Sequence, residues 1–153
     1  MRPRVIREIR DGDEVVRVFA PKIVRRALRP KTVRTLKKML AGVVQRGTGK
    51  AAKPQGYSAA GKTGTAQQVD PKTQTYSQDR FIASFVGFSP VERPRLVIFV
   101  SIDHPKTETY GGIVAAPVFR EIAEKSLRYL RVPPDEPPSI RATAGANVSA
   151  QPS

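Results

Sequence analysis

The chain has 153 residues, enough for one domain with a modest core, and its 39% hydrophobic content is that of a globular protein. It has no cysteine and one histidine, His104, which excludes disulfides, thiolate metal sites, a cysteine nucleophile and a His-rich metal cluster; neither metal nor cofactor is expected. The net charge of +14 lies mostly at the front, where residues 1–53 hold 16 Lys and Arg against 4 Asp and Glu. Without interleaved aromatics or a nucleic-acid motif, this reads as a solvated basic face, and no nucleic acid is expected as a partner. No apolar run reaches the roughly 18 residues of a membrane-spanning helix, and the Arg-rich start lacks the apolar stretch of a signal peptide. The chain is therefore expected to carry no anchor and no export signal.

In chain order, two β-rich runs at residues 5–10 and 14–19 flank Asp11-Gly12-Asp13, a strong hairpin signal over residues 1–20. Between residues 30 and 44, Val33, Leu36, Met39, Leu40, Val43 and Val44 fall at helical spacing, with Pro30 suited to the first turn. That stripe is expected to be core. Gly47 and Gly49 then break the helix around Thr48, which reads as a cap and linker.

Residues 57–69 form an expected strand around Ala60-Gly-Lys-Thr-Gly-Thr-Ala-Gln67, where two incompatible motifs overlap. Residues 56–63 fit G-x-x-x-x-G-K-[ST], the phosphate-cradling P-loop. Lys62-Thr63-Gly64 is also the K-T-G element of acyl-serine penicillin-recognising proteins. A P-loop needs a strand before it and a helix opening at Lys62 to hold phosphates on its amides. Here a Gly-, Lys- and Pro-rich loop precedes it, and Gly64 with Asp70-Pro71 makes a poor helix downstream. A strand fits better, with Lys62 and Gly64 toward one face and Thr63 and Thr65 toward the other, so that a cleft lies along its edge. Gly64 would let a ligand backbone approach closely.

Residues 70–80 read as a polar loop and 81–88 as a second, central strand; residues 95–103 read as a third strand buried on both faces over most of its length. Asp103 at its end imitates a Walker B acid, whereas Ser84 and His104 sit in no nucleophile context and read as structural. Tyr110-Gly111-Gly112 reads as a loop. Pro117 then opens a helix with Val118, Phe119, Ile122, Ala123, Ser126, Leu127 and Leu130 inward, stopped by Pro133-Pro134. Residues 133–153 hold little to bury and are expected to be a disordered tail. The expected fold is α+β, an antiparallel three-stranded sheet covered by the C-terminal helix.

Several stretches together resemble the C-terminal part of the transpeptidase domain of class B penicillin-binding proteins, of the division and elongation type. They are Val43-Val44-x-x-Gly47-Thr48-Gly49-Lys50-Ala51-Ala52, Ala60 to Gln67, Ala83-Ser84-Phe85-Val86-Gly87-Phe88-x-Pro90, Tyr110-Gly111-Gly112 and Ala116-Pro117-Val118-Phe119-x-x-Ile122. The likeness covers residues 21–132 and implies the penicillin-binding-protein/serine β-lactamase-like fold. It also implies that the parent enzyme cross-links peptidoglycan: a serine attacks the D-Ala-D-Ala stem peptide, and the amine of a second stem resolves the acyl-enzyme. By this resemblance Lys62 supplies positive charge beside the serine, and the Thr63 and Thr65 hydroxyls hold the carboxylate of stem peptide or β-lactam. Gly64 belongs to the same binding strand, and the Thr65 N–H is one arm of the oxyanion hole. Partners implied are the stem peptide, β-lactams and divisome or elongasome proteins, at the outer face of the inner membrane.

The sequence departs from the pattern in one respect. None of its serines is followed by Lys at the third position or Asn at the second, so Ser-x-x-Lys and Ser-x-Asn are both absent. By itself the chain is expected to be an inactive fragment, poorly soluble because its sheet has an unpaired edge.

Overall fold

A computed structural model describes residues 2–137. They fall into two compact units, one up to Leu36 and one from Lys37 onward.

In the first unit, β1 (Glu8–Asp11) and β2 (Glu14–Val18) pair antiparallel, with Asp11 opposite Glu14 and an irregularity between Ile9 and Arg10. Gly12 takes φ +59° in the turn, the left-handed conformation that Asp-Gly hairpins need. Helix α1 (Pro30–Gln45) has the expected extent but not the expected burial. Of its apolar stripe only Val44 is buried, while Val33, Leu36 and Met39 stay exposed, Met39 at 63%. Periodicity fixes which side of a helix is apolar, but a second element must cover that side before it becomes core.

The second unit is built on β3 (Ala60–Val69), β4 (Tyr76–Ser89) and β5 (Leu96–Asp103), antiparallel in the order β3-β4-β5. β4 starts at Tyr76, inside the stretch expected to be loop. Val69 pairs with Tyr76, and the intervening turn is closed by Asp70 N–H to the Thr75 carbonyl (2.8 Å) and Lys72 N–H to the Asp70 carboxylate (2.8 Å). A ladder needs only backbone partners, so polar residues extend the hairpin past the end of the core.

One face of the sheet is covered. Phe85 of β4 and Val100 of β5 pack with Val44, Ala52 and Ala59 against helix α3 (Ala116–Tyr129). The Phe85 and Phe119 rings sit 4.8 Å apart at 58°. Pro117 lies in the first turn of α3, as expected. The inward stripe is narrower than periodicity suggested: Ala116, Phe119, Ala123 and Leu127 are buried, whereas Val118, Ile122 and Leu130 are exposed. Among the described residues no helix covers the opposite sheet face. β5 is therefore not buried on both faces, because Val97 (76%) and Phe99 (66%) alternate outward while Val100 points in. An apolar run on both sides of a strand reports composition, and here only one side has a helix on it.

Beyond α3, residues 133–137, expected to begin a disordered tail, are held in place. The Asp135 and Glu136 N–H groups both donate to the Gly56 carbonyl (3.2 Å each), the Asp135 carboxylate accepts from the Ser58 N–H (2.8 Å) and hydroxyl, and Lys53 pairs with Glu136 (3.0 Å). The remainder of that expected tail, residues 138–153, lies outside the described residues.

The sidedness of the sheet is testable by chemical denaturation. Phe119→Ala should lower stability by about 3–5 kcal/mol, the usual cost of emptying a buried aromatic site. Phe99→Thr on the open face should change it by about 0.5 kcal/mol or less. Equal losses at the two positions would show that both faces are covered.

Candidate functional site

Strand β3 is an edge strand, hydrogen-bonded to β4 along one side with its other side unpaired among the described residues. Along it, Lys62 stands opposite Val86, Thr63 opposite Phe85, Gly64 opposite Ser84 and Thr65 opposite Ala83. Because Phe85 and Ala83 face the covered side, Thr63 and Thr65 share that side, at its margin. No helix follows Lys62, so the amides a P-loop requires are not assembled there. Gly61 answers to packing: a Cβ on it would lie 2.6 Å from the Phe85 ring and from the Val86 carbonyl oxygen. Asp103 accepts a hydrogen bond from the Gln68 side chain, a link across the end of the sheet. The His104 backbone N–H donates to the Phe81 carbonyl (2.8 Å), and the buried ring Nδ1 has no partner among the described residues.

At Gly64 a Cβ would stand 2.6 Å from the Ser84 hydroxyl, so the missing side chain makes room for a neighbour within the sheet.

Two further walls meet β3. The first is the loop after α1, expected to be only a cap and linker. It does cap the helix: Gly47 and Gly49 donate to the Val43 carbonyl (3.0 and 3.1 Å). Gly49 is buried with room for no more than itself, since a Cβ would lie 3.1 Å from the Phe85 ring. Thr48 and Lys50 flank it, both exposed, and the chain tightens into a 3-10 turn at Lys50–Ala52. The Thr48 and Thr63 hydroxyls are 3.0 Å apart.

The second wall is α2 (Gly111–Val114), a single helical turn where a loop was expected. It seats so close to β3 that a Cβ on Gly111 would collide with the Ser84 carbonyl oxygen and stand 2.7 Å from that of Gly64. A Cβ on Gly112 would collide with the Thr48 carbonyl oxygen. The Gly111 N–H donates to the Thr65 hydroxyl at 3.5 Å. A backbone approach this tight reads locally as flexible Gly-Gly, which is why composition suggested a loop.

These walls enclose a cleft of about 410 Å³, lined by Thr48, Lys50, Thr63, Thr65, Tyr110 and Ile113 with the intervening small residues. It combines hydroxyl donors, one cation and an apolar side. Lys62 is exposed and is not part of this lining; its ammonium bends to the Thr63 carbonyl (3.0 Å) and hydroxyl (3.2 Å). Of the residues singled out from sequence, Thr63 and Thr65 thus line the cleft, Lys62 touches it through Thr63, and Gly64 lies within β3 next to Ser84. Thr48, Lys50 and Tyr110 were not singled out individually, although each lies in a stretch that carried the family resemblance.

A larger hollow of about 760 Å³ borders Lys53, Gln55, Arg120, Glu124 and Glu136. Much of its charge is already engaged, since Lys53 pairs with Glu136 and Glu124 accepts the Gln55 N–H (2.8 Å). Two carboxyls have lowered pKa values, Asp79 chiefly through the Ser77 hydroxyl and Glu121 through Lys125, and neither lines the cleft. Among the described residues no three His, Asp or Glu side chains could hold a metal, and no helix is long and apolar enough to cross a membrane.

Gly111→Ala should cost about 1–3 kcal/mol and move the amide resonances of Gly64 and Ser84, because the added methyl meets backbone oxygens. Gly42→Ala, in helix α1 where a Cβ meets only the tip of Arg46 at 3.7 Å, should instead stabilise by about 0.5–1 kcal/mol. The same sign at both sites in thermal melts would contradict the close seating of α2.

The sequence matches the family described as "Penicillin binding protein transpeptidase domain" over residues 1–124. Penicillin-binding protein PbpB of Mycolicibacterium smegmatis is 41% identical over 131 residues, covering 77% of this chain and 20% of its own. The TP domain of penicillin-binding protein 3 from Burkholderia pseudomallei superposes with a TM-score of 0.64 at 42% identity, over 71% of this chain and 33% of that one. Penicillin-binding protein 3 from Mycobacterium tuberculosis, complexed with ampicillin, gives a TM-score of 0.63 at 38% identity, over 71% and 26% of the two chains. The chain spans about a fifth of the length of the relatives it matches.

Proposed function

Because this chain belongs to the penicillin-binding protein transpeptidase domain family, we propose that it supplies the K-T-G wall and oxyanion-hole strand of a peptidoglycan D,D-transpeptidase active site. The observation that carries the reading is the convergence of the Lys62 ammonium and the Thr63 and Thr65 hydroxyls at the margin of a cleft beside an edge strand.

The chemistry follows from the substrate. A stem peptide ending in D-Ala-D-Ala presents a carboxylate, which can only accept hydrogen bonds and is stabilised by a nearby cation. Thr63 and Thr65 donate to it, and Lys62 lends positive charge. The unpaired edge of β3 receives the extended peptide as an added strand. Attack by a serine on the penultimate carbonyl places negative charge on its oxygen, which the Thr65 N–H stabilises. The terminal D-Ala then leaves, and the amine of a second stem peptide takes the acyl group. That serine belongs to the family's Ser-x-x-Lys element, which these 153 residues do not contain, so the wall works only together with a serine-bearing part of the domain. A β-lactam follows the first half of the same route and remains attached, as the ampicillin-complexed relative suggests. By family, the place of work is the outer face of the cytoplasmic membrane, among the proteins of division or elongation.

Labelling with a fluorescent penicillin tests the reading, using the chain alone and co-produced with a serine-bearing transpeptidase half. Label should appear only in the pair, and Lys62→Ala should slow it about 10-fold or more. No label in either sample sinks the proposal; label on the chain alone places a nucleophile within it.

A further inference from the structure

The hydroxyl of Thr63 has one proton to give and two lone pairs to fill. Lys62 Nζ, 3.2 Å away, has only protons and so takes one lone pair. The Thr48 hydroxyl at 3.0 Å decides the rest. If Thr63 gives its proton to Thr48, none is left for a carboxylate. If Thr48 gives its proton to Thr63, both lone pairs are filled and the Thr63 proton points into the cleft.

We propose that Thr48 is a positioning residue: it donates to Thr63, fixes that hydroxyl as a donor and thereby makes the cleft selective for an anionic chain end. This inference rests on the reading of Thr63 as a carboxylate ligand. Three observations support it. Thr48 is held on both sides, by buried Gly49 with its N–H on the Val43 carbonyl and by Gly112 against its own carbonyl. Among the described residues its hydroxyl has no partner but Thr63. Thr65 follows the same logic, because the Gly111 N–H occupies an acceptor position of its hydroxyl and leaves its proton for the ligand. Each cleft hydroxyl of β3 thus accepts from a different element, Thr63 from the loop after α1 and Thr65, at one of its two lone pairs, from α2. A carboxylate, which can only accept, meets two hydroxyl protons; a carboxamide end, which brings protons of its own, finds both acceptor positions of Thr63 taken.

The test uses the penicillin-labelled pair of halves and separates the dissociation constant from the acylation rate constant. Thr48→Val should raise the dissociation constant about 5- to 10-fold, the usual weight of one hydrogen bond, and leave acylation within about 2-fold. Thr48→Ser should return both to within about 2-fold of the parent, and Thr48→Ala should repeat the Val result, which separates loss of the hydroxyl from any disturbance of the loop by the Val side chain. In a Thr63→Val background, Thr48→Val should cause no further loss. Equal losses for Ser and Val, a loss confined to acylation, or no loss for Val while Thr63→Val still weakens binding would each overturn the role of Thr48 alone. A Thr63→Val protein that binds as tightly as the parent would overturn the carboxylate reading, and this inference with it.

Discussion

The placement of the cleft depends on the ring of Phe85. It is fully buried in the central strand, opposite Thr63, and it touches three elements at once. Its ring meets that of Phe119 of α3 at a tilt, fills the space that a side chain on Gly61 would need in β3, and crowds the place of one on Gly49 in the loop after α1. The loop that carries Thr48 and the strand that carries Thr63 are therefore positioned against the same rigid disc. Two short polar side chains meet at hydrogen-bonding distance because an aromatic ring beneath them fixes both backbones, and well-packed interiors do not deform gradually.

Above that ring the cleft is assembled from elements with few polar side chains of their own. Helix α2 contributes an N–H and an absence of Cβ atoms; the loop after α1 contributes one hydroxyl and one ammonium. β3 alone would present Thr63 and Thr65 as free rotors, able to donate or accept. Surrounded by these walls, the two hydroxyls lose that ambiguity. Electrostatic preorganisation in this sense is a property of the packing around a motif as much as of the motif.

Much of this was legible from the chain. The hairpin turn, both long helices, the three-stranded order and the identity of the K-T-G strand follow from turn chemistry, periodicity and motif context. What was missed has a common physical origin. Burial of β5 and of the α1 stripe depends on whether another element covers them, and periodicity carries no information about the partner. The helical turn at Gly111 and the role of Thr48 depend on close backbone contact between segments far apart in sequence, for which glycine is the trace but not the explanation. Residues 133–137 read as tail because the stretch from 133 onward holds little to bury, yet backbone and carboxylate bonds to Gly56 and Ser58 hold them.

The contact of Gly111 with the carbonyl oxygens of Ser84 and Gly64 has a consequence for how this site can vary. A clash between two side chains can be relieved by shortening the other partner, so such pairs drift together through paired substitutions. A clash with a carbonyl oxygen has no such remedy, because every amino acid carries the same oxygen. The floor of the cleft is thus closed to compensated change. Variation in its shape is channelled to Lys50, Tyr110 and Ile113, which line it with side chains of their own. A lineage whose cleft must change its fit would find its freedom there.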